Sequence, residues 1–307
     1  MTKKVHVKIP ATSANMGSGF DAVGIALTLY NEILFEERPG AEAITIEIKG
    51  MGQNEIPTDP RENLVSEAME YVAKRNGQPL PAGHLTLINR IPPARGLGSS
   101  SAALVGGIMA GDALTGRKLT KEDILIIANS MEGHPDNVAP ATYGGLTSSI
   151  IVHDKAITNS VPVGNDLSFI TVSPEIEVST EEARQALPDT IDYKSAVFNV
   201  SRVSFLLSSF FTKRYEYLKY SLQDKLHVPY RIRLIPHGQD VLDAATAAGA
   251  LGSTISGSGS TLIAFATERE KEIEEAMIST FAGYDIYSFG HILKADNQGA
   301  TYVEISE

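Results

Sequence analysis

The feature that most constrains this chain is a glycine- and serine-rich stretch, Ile91–Met109, which reads IPPARGLGSSSAALVGGIM. The preceding segment, His84–Arg90, alternates apolar and polar residues and predicts a strand. Pro92 and Pro93 end that strand because neither has a backbone N–H for a ladder. The stretch therefore reads as a strand end, a loop and the start of an alanine-rich helix.

The loop has the composition of a phosphate-binding turn. Gly96 and Gly98 can take positive φ and let the backbone approach a ligand closely. Ser99 or Ser100 can cap a helix that begins with Ala102. A helix start offers unpaired N–H groups and a partial positive charge, which favour phosphate.

Spacing excludes two familiar phosphate loops. The dinucleotide fingerprint needs a third glycine at position 101, where this chain has Ser101. The P-loop needs a Gly-Lys pair, and the sequence contains none. A glycine-serine loop without a lysine of its own remains. An ordinary helix entry with two loop glycines is the alternative.

Length and charge narrow the class of protein. The 307 residues favour two domains, which we place at 1–160 and 161–307 because residues 159–166 turn polar. The net charge of −11, without a basic cluster, argues against a nucleic-acid partner. We expect no membrane segment and no signal peptide, because no apolar run is long enough, and we expect a cytoplasmic location. The absence of cysteine excludes disulfides and thiolate metal sites.

Two further polar stretches are candidates for a site. The first loop, Pro10–Gly24, holds Asn15 and Asp21 among small residues and is longer than a plain turn requires. For each of these two side chains alone, a role in forming the turn is the commoner explanation. The second stretch follows a helix with a Thr120–Asp123 capping-box pattern and groups the polar residues Glu132, His134, Asp136 and Asn137. Its spacing matches no zinc signature, and a solvated charge at a helix end is the alternative for Glu132.

In the first half of the chain, Asn63 predicts the cap of a helix from Leu64 to about Arg75, with Gly77 as its stop. The second half is predicted to mix helices and strands. Ser179–Glu182 forms a capping-box pattern before Arg184, and Tyr193–Phe211 predicts a long helix. We expect that helix to bury Val197, Val200, Val203, Phe205 and Leu206. The segment 229–236 is expected to be a loop with two arginines, and residues 255–265 a second glycine-serine loop that enters a strand.

Three separated stretches, Pro10–Gly24, Pro92–Ala103 and Ser256–Thr261, resemble the three motifs of the GHMP kinases. Within that family, PATSANxGxGFD, EGHxDNVAP and the Pro-Tyr-Arg segment are most similar to the members that phosphorylate L-homoserine. The resemblance implies an α+β fold, with an N-terminal domain like domain 2 of ribosomal protein S5 and a ferredoxin-like C-terminal domain. It also implies ATP and Mg²⁺ as cofactors and a homodimer.

The resemblance assigns roles residue by residue. Backbone and side chains of the loop and helix start would hold ATP, namely Pro92, Pro93, Ala94, Arg95, Gly96, Leu97, Gly98, Ser99, Ser100, Ser101 and Ala102. Asn63 would touch the adenine, and Ser100 with Glu132 would bind Mg²⁺, which prefers oxygen ligands.

The remaining roles concern the second substrate. Asn15 and Asp21 would take the amino group, and Arg184 and Arg231 the carboxylate, with Arg233 as runner-up. His134 would lie near the substrate. Glu132 is counted as catalytic with Asp136 and Asn137, which would lie near the transferred group. Whether any residue is a general base stays open.

Two other functions compete with this interpretation. One is another GHMP kinase that acts on mevalonate or a sugar, and the paired arginines with Asp21 favour an amino-acid substrate over it. The other is a non-catalytic S5-like interaction module, against which the negative charge and the polar group at 132–137 argue.

Overall fold

Two β-sheets with helices packed against them form the architecture of the computed structural model, which describes residues 2–116 and 118–306. The described strands are β1 (Lys4–Ala14), β2 (Val23–Glu37), β3 (Ile44–Gly50), β4 (Gly83–Asn89), β5 (Leu146–Val152), β6 (Lys155–Val161), β7 (Ser168–Pro174), β8 (Gly252–Ile255), β9 (Leu262–Ala266), β10 (Ser288–Leu293) and β11 (Thr301–Ser306).

The described α-helices fall into two sets along the chain. The first set is α1 (Leu64–Asn76), α2 (Ser99–Thr115), α3 (Lys121–Glu132) and α4 (Pro135–Tyr143). The second set is α5 (Thr180–Gln185), α6 (Tyr193–Phe211), α7 (Leu218–Ser221), α8 (Val228–Arg231), α9 (Gly238–Ala248) and α10 (Glu270–Ala282). Short 3₁₀ turns at Tyr215–Tyr217 and Ile232–Leu234 adjoin α7 and α8.

The first sheet has the order β11-β1-β2-β4-β3, and β5 and β6 continue it from β2. The long strand β2 pairs with two strands along the same edge. Its residues Val23–Ile25 pair with β5, and Glu32–Glu37 pair with β4. β3 and β4 are parallel, and the other pairings are antiparallel. Helix α2 packs against β1 and β2, and it also contacts α1, α3 and α4.

The close fit of α2 to α1 depends on glycine. A Cβ on Gly107 would stand 2.6 Å from the Val65 carbonyl oxygen, and one on Gly111 would stand 2.7 Å from that of Met69. Both distances are shorter than any normal contact, so these positions exclude larger residues. The alanine- and glycine-rich composition of α2 thus fixes the helix that begins at the phosphate-type loop.

The second sheet has the order β10-β7-β9-β8, with all neighbours antiparallel. Helices intervene between β7 and β8, and α10 lies between β9 and β10. Helices α9 and α10 contact each other and this sheet. The arrangement is the βαββαβ pattern of a ferredoxin-like domain, and the predicted α+β fold class is confirmed.

Several local predictions are also confirmed. The Asn63 side chain accepts from the Val65 and Ser66 amides, and Gly77 ends α1 in the left-handed conformation. Both capping boxes form, at Thr120–Asp123 and Ser179–Glu182.

The prediction that α6 is mostly buried is wrong for three residues. Val197, Val200 and Phe205 are exposed, whereas Leu206 is buried. Their apolar character suggested a core face, but Val197 and Val200 lie more than half exposed, and Phe205 is covered only in part, with its ring 5.3 Å from that of Tyr217 in the 3₁₀ turn. Of the residues described, no helix is both long and apolar enough to cross a membrane.

The boundary between 1–160 and 161–307 stays a prediction. β6 continues through Val161, which pairs with Leu146, so the polar residues before it belong to an edge strand. β11, from the far end of the chain, pairs with β1 in the first sheet.

Candidate active site

A cavity of about 300 Å³ lies between the two sheets and collects residues from all three sequence motifs. It is lined by most of the predicted site residues, namely Asn15, Asp21, Ala94, Arg95, Gly96, Gly98, Ser99, Ser100, Ser101, Glu132, His134, Asp136, Asn137, Arg184 and Arg231. Three arginines and three acidic side chains therefore face one space, which is a charge-rich environment suited to ionic ligands.

The glycines of the loop are required by both backbone angle and space. Gly96 has φ 75° and Gly98 has φ 71°. A Cβ on Gly96 would stand 2.1 Å from the Ser256 carbonyl oxygen, and one on Gly98 would stand 1.9 Å from Thr12 Oγ1. Side chains are excluded at both positions, so the backbone itself forms this part of the cavity wall.

Helix α2 begins earlier than predicted. Its N-cap is Gly98, which gives no side-chain cap, so the prediction that Ser99 or Ser100 caps a helix starting at Ala102 is wrong. The positive φ of Gly98 starts the helix immediately after the loop. The first intrahelical hydrogen bond runs from the Ala102 amide to the Gly98 carbonyl, which leaves the three serine amides without intrahelical partners. The helix start thus offers more free donors to a phosphate than predicted.

The loop is held in place from the second sheet. Ser256 Oγ hydrogen-bonds to the Gly96 carbonyl at 2.7 Å and to Ser13 Oγ at 2.8 Å. The Gly257 amide donates to the Ala14 carbonyl, and the Thr261 amide donates to the Arg95 carbonyl. The three motif stretches are therefore joined by buried hydrogen bonds.

Glu132 and Ser100 meet at the helix start. Ser100 Oγ lies 2.7 and 2.8 Å from the two carboxylate oxygens of Glu132, and Ser101 Oγ donates to the same carboxylate at 3.0 Å. Glu132 is the last residue of α3 and Ser100 is in the first turn of α2. A carboxylate and a hydroxyl are hard oxygen donors of the kind that Mg²⁺ prefers.

Mg²⁺ would receive few ligands from the protein alone. Across the described residues, no group of three or more His, Cys, Asp or Glu side chains has the arrangement of a metal site. An ion held by two protein oxygens needs phosphate or water for its remaining positions, which is the usual state of Mg²⁺ beside a nucleotide.

A helix not predicted from the sequence carries the next polar group. Residues 135–143 form α4, with Pro135 at its first position, so Asp136 and Asn137 lie in its first turn. His134 Nδ1 is 2.8 Å from Asp136 Oδ1, and this hydrogen bond raises the pKa of His134. Asn137 Oδ1 accepts from Thr12 Oγ1 at 2.8 Å.

Opposite charges meet at the other end of the cavity. Arg184 donates from Nη1 and Nη2 to the two oxygens of Asp21, each at 3.1 Å, and both side chains are about two-fifths exposed. Asn15 Oδ1 accepts from the Asp21 amide, and Asn15 Nδ2 donates to the Gly257 carbonyl. The side chain of Asn15 is therefore occupied in shaping the loop that presents Asp21.

Arg231 is almost fully buried beside this ion pair. Its Nε donates to the Ala183 carbonyl at 2.9 Å, and burial lowers the pKa of its guanidinium. The segment expected to be a loop is instead α8 followed by a 3₁₀ turn, with Arg231 on the inner face. Arg233 is exposed and does not line the cavity.

A second, smaller cavity adjoins the helix start. It shares Ser99 with the main cavity and is lined by Asn63, Ala102 and apolar side chains such as Ile56 and Leu87. Pro92, Pro93 and Leu97 line neither cavity. Pro92 and Leu97 are buried and support the loop from behind.

Sequence reasoning did not single out some residues that the structure brings to the site. Thr12, Gly257 and Ser258 contact or line the main cavity or its loop, and Ser179 and Thr180 lie at its rim. Thr12, Gly257 and Ser258 fall inside the motif stretches, so their position in those stretches was the available signal.

Comparisons with known proteins agree with this geometry. The sequence profile described as GHMP kinases N terminal domain matches residues 63–145, and that described as GHMP kinases C terminal matches residues 214–283. The homoserine kinase of Persephonella marina is 41% identical over 305 residues, which span 99% of this chain and 100% of that protein. That of Carboxydothermus hydrogenoformans is 43% identical over 296 residues, 96% of each.

A solved structure gives the same result. The crystal structure of homoserine kinase from Cytophaga hutchinsonii has a TM-score of 0.89 at 32% identity and covers 98% of this chain and 97% of that one. With its phosphate-type helix start between two α+β halves, the chain belongs to the GHMP kinase family. Within that family it groups with the homoserine kinases.

Proposed function

We propose that this chain is an ATP-dependent kinase that transfers a phosphoryl group to the hydroxyl of L-homoserine and gives O-phospho-L-homoserine for threonine biosynthesis. The proposal rests on one observation, which is that a single cavity has two ends with different chemistry. One end has the free amides of α2 with Ser100 and Glu132, and the other has Asp21 with Arg184 and Arg231.

The first end fits the phosphates of ATP. The loop amides and the helix start supply donors and a partial positive charge, and Gly96 and Gly98 bring the backbone within reach. The adjoining cavity, bounded by Asn63 and Ala102, measures about 50 Å³, so it would have to widen to take the adenine. Asn63 would line that space without hydrogen-bonding the adenine, because its side-chain amide already caps α1 and donates to the Pro57 carbonyl.

Mg²⁺ would be held by Ser100 and Glu132 together with phosphate oxygens. When bound, it would neutralise charge on the transferred group, which phosphoryl transfer requires. The residues fit the ion because both donors are oxygens and the carboxylate already accepts from the serine hydroxyls.

The second end fits a zwitterionic alcohol. Asp21 would take the ammonium, while Arg184 and Arg231 would take the carboxylate in a charge-assisted, bidentate contact. The Asp21–Arg184 pair must then open, since each partner occupies the other in the structure. A partly exposed pair is worth at most about 1 kcal/mol, so opening it for the substrate costs little.

The hydroxyl would lie between the two ends. Asp136 and Asn137 stand at the start of α4, where the substrate hydroxyl would meet the transferred phosphate, and His134 lies beside them. Asn137 is positioned by Thr12, and His134 by Asp136. Alignment of the two reacting oxygens by such fixed side chains is the main protein contribution to phosphoryl transfer.

Turnover of ATP with a panel of alcohols tests the proposal. We expect homoserine-dependent ADP formation, and no stimulation by mevalonate or galactose, because neither offers a charge pair to Asp21 and Arg184. Equal turnover with all three alcohols, or none with homoserine, would reject it. Turnover with mevalonate or galactose alone would favour another GHMP kinase, and no turnover with any of the three would favour a non-catalytic module.

Oligomer and location follow from the family resemblance. We propose a homodimer, which light scattering would detect as a mass of twice 32.9 kDa. A cytoplasmic location is proposed because the reaction consumes ATP in a biosynthetic route.

A further inference from the structure

The loop between β1 and β2, which presents Asp21, has an unusual backbone. Asn15, Met16, Gly17 and Asp21 all have positive φ, and three of these residues are not glycine. Such conformations persist only where surrounding contacts impose them. The contacts that hold this loop therefore decide where the Asp21 carboxylate stands.

His227 makes one of the closest of these contacts. Its Nε2 lies 2.7 Å from the Gly17 carbonyl oxygen, and its ring stacks on Phe20 with centroids 5.0 Å apart and planes at 21°. The side chain is fully buried. A Cβ on Gly17 would stand 2.2 Å from the Leu222 carbonyl oxygen, so the chain before His227 also presses on the loop.

The hydrogen-bonding pattern defines the tautomer of His227. Because a carbonyl oxygen only accepts, Nε2 must carry the hydrogen, and Nδ1 has no partner among the described residues. Asp224 accepts from the backbone amides of His227 and Val228, each at 2.7 Å, and so fixes the backbone that carries the ring.

The Phe20 ring contacts Arg231 as well as His227. Arg231 follows His227 by four residues, and its guanidinium lies 4.9 Å from the centroid of Phe20. Side chains four residues apart in a helical turn share a face. Phe20 therefore rests against both His227 and Arg231, one residue before Asp21.

We propose that His227, with its hydrogen on Nε2, is a positioning residue that sets the 15–21 loop so that Asp21 meets the amino group of the substrate. The inference rests on the proposed homoserine kinase activity and adds a residue outside the cavity lining to it. His227 does not touch substrate, and its effect passes through Gly17 and Phe20.

Two amide substitutions separate positioning from mere filling of space. In His227→Gln the amide nitrogen reaches the place of Nε2 and can still donate to Gly17, whereas in His227→Asn it reaches only the place of Nδ1. Both remain polar in the same buried position. We expect the KM for homoserine to rise about tenfold in His227→Asn and less than about threefold in His227→Gln.

Three further measurements make the test specific. The KM for ATP should change less than about twofold in both variants, because the phosphate loop is not contacted by His227. The inhibition constant of 4-hydroxybutyrate, which lacks the amino group, should rise much less than the KM for homoserine, because only the contact with Asp21 is displaced directly. His291→Asn is the matched control, since His291 is a half-buried histidine of β10 whose Nδ1 also lacks a described partner.

The proposal is overturned if the Gln and Asn variants have the same KM for homoserine. It is also overturned if 4-hydroxybutyrate or ATP binding weakens in parallel with homoserine. These outcomes are distinct from failure of the proposed function itself, which would show as no homoserine-dependent turnover in the unmodified chain.

Discussion

At the scale of single residues, Gly98 has little freedom to change. Its φ of 71° and the 1.9 Å that would separate a Cβ from Thr12 Oγ1 exclude any side chain. We expect Gly98→Val to weaken ATP binding at least about tenfold, because the loop must shift away from the phosphates. Calorimetric titration with ATP measures this directly.

Gly77→Val is the matched control for Gly98→Val. Gly77 has a similar φ of 66°, but a Cβ at that position would meet no heavy atom within 4 Å. The control should lower the melting temperature through backbone strain and leave ATP affinity unchanged. Normal ATP affinity in Gly98→Val would contradict a phosphate role for the loop.

Glu132 is the second decisive residue, because its charge would hold Mg²⁺. Glu132→Gln keeps an oxygen that can accept from Ser100 and removes the negative charge. We expect kcat to fall about 100-fold or more, with the melting temperature nearly unchanged, since the side chain is not fully buried. Steady-state kinetics over a Mg²⁺ series would check this. Unchanged turnover at saturating Mg²⁺ would move the assignment to Asp136.

At the scale of elements, the short helix α5 is the most exposed support of the substrate end. It carries Arg184, and its Ala183 carbonyl accepts from Arg231. Glu182 closes its capping box by accepting from the Ser179 amide and hydroxyl, each at 3.0 Å. A six-residue helix depends strongly on such a cap.

Removing that cap should affect homoserine and spare ATP. We expect Glu182→Ala to raise the KM for homoserine about two- to fivefold, from a loss of about 0.5–1 kcal/mol. Asp123→Ala in the matching box of α3 is the control and should lower thermal stability without changing this KM. An equal change in the KM for homoserine in both variants would show that α5 does not fix the positions of Arg184 and Arg231.

His227, the N-cap residue of α8, should make the stability of the protein depend on pH. Burial lowers the pKa of His227, so the folded protein keeps the ring neutral. Below about pH 6.5 the unfolded chain takes up a proton that the folded chain does not, and the free energy of unfolding falls. Above that pH neither state binds the proton, and this stability is fully present.

Replacing His227 should remove this fall in the free energy of unfolding at low pH. Between about pH 7.5 and 5.5 we expect the unmodified chain to lose more unfolding free energy than His227→Gln, because only the unmodified chain gains a histidine proton on unfolding at this position. Urea unfolding at the two pH values measures both losses, and the other titrating groups cancel in the comparison. Equal losses would contradict a neutral, buried His227.

Elements with strong local signals could be predicted from the sequence, and the others could not. Helix α1 was marked by Asn63 and Gly77, and α6 has the predicted bounds. Helix α4 has no such local signal, because it is short and contains Pro140, although Pro135 suits its first position. Strand β6 was missed because its residues are mostly polar, as an edge strand allows.

At the scale of the whole molecule, the site exists only where the two halves of the chain meet. Asp21 follows β1, Arg184 belongs to α5 beyond β7, and Arg231 lies on α8, so no local pattern joins them. The motif resemblance predicted that these residues share a ligand. It could not predict that Arg184 and Asp21 pair with each other, because that contact depends on tertiary geometry.

The central claim is that this interface recognises both charges of homoserine, and a two-by-two comparison tests it most directly. kcat/KM is measured for homoserine and for 3-amino-1-propanol, its decarboxylated analogue, with the unmodified chain and with Arg184→Lys. Arg233→Lys serves as the control, since Arg233 is exposed and outside the cavity.

We predict that Arg184→Lys lowers kcat/KM for homoserine about tenfold, because a bidentate contact to the carboxylate is lost at a partly exposed position. The analogue should be a poor substrate of the unmodified chain and barely worse with the variant. If Arg184→Lys lowers kcat/KM equally for both alcohols, the arginine does not recognise the carboxylate, and the assignment of homoserine as substrate is contradicted.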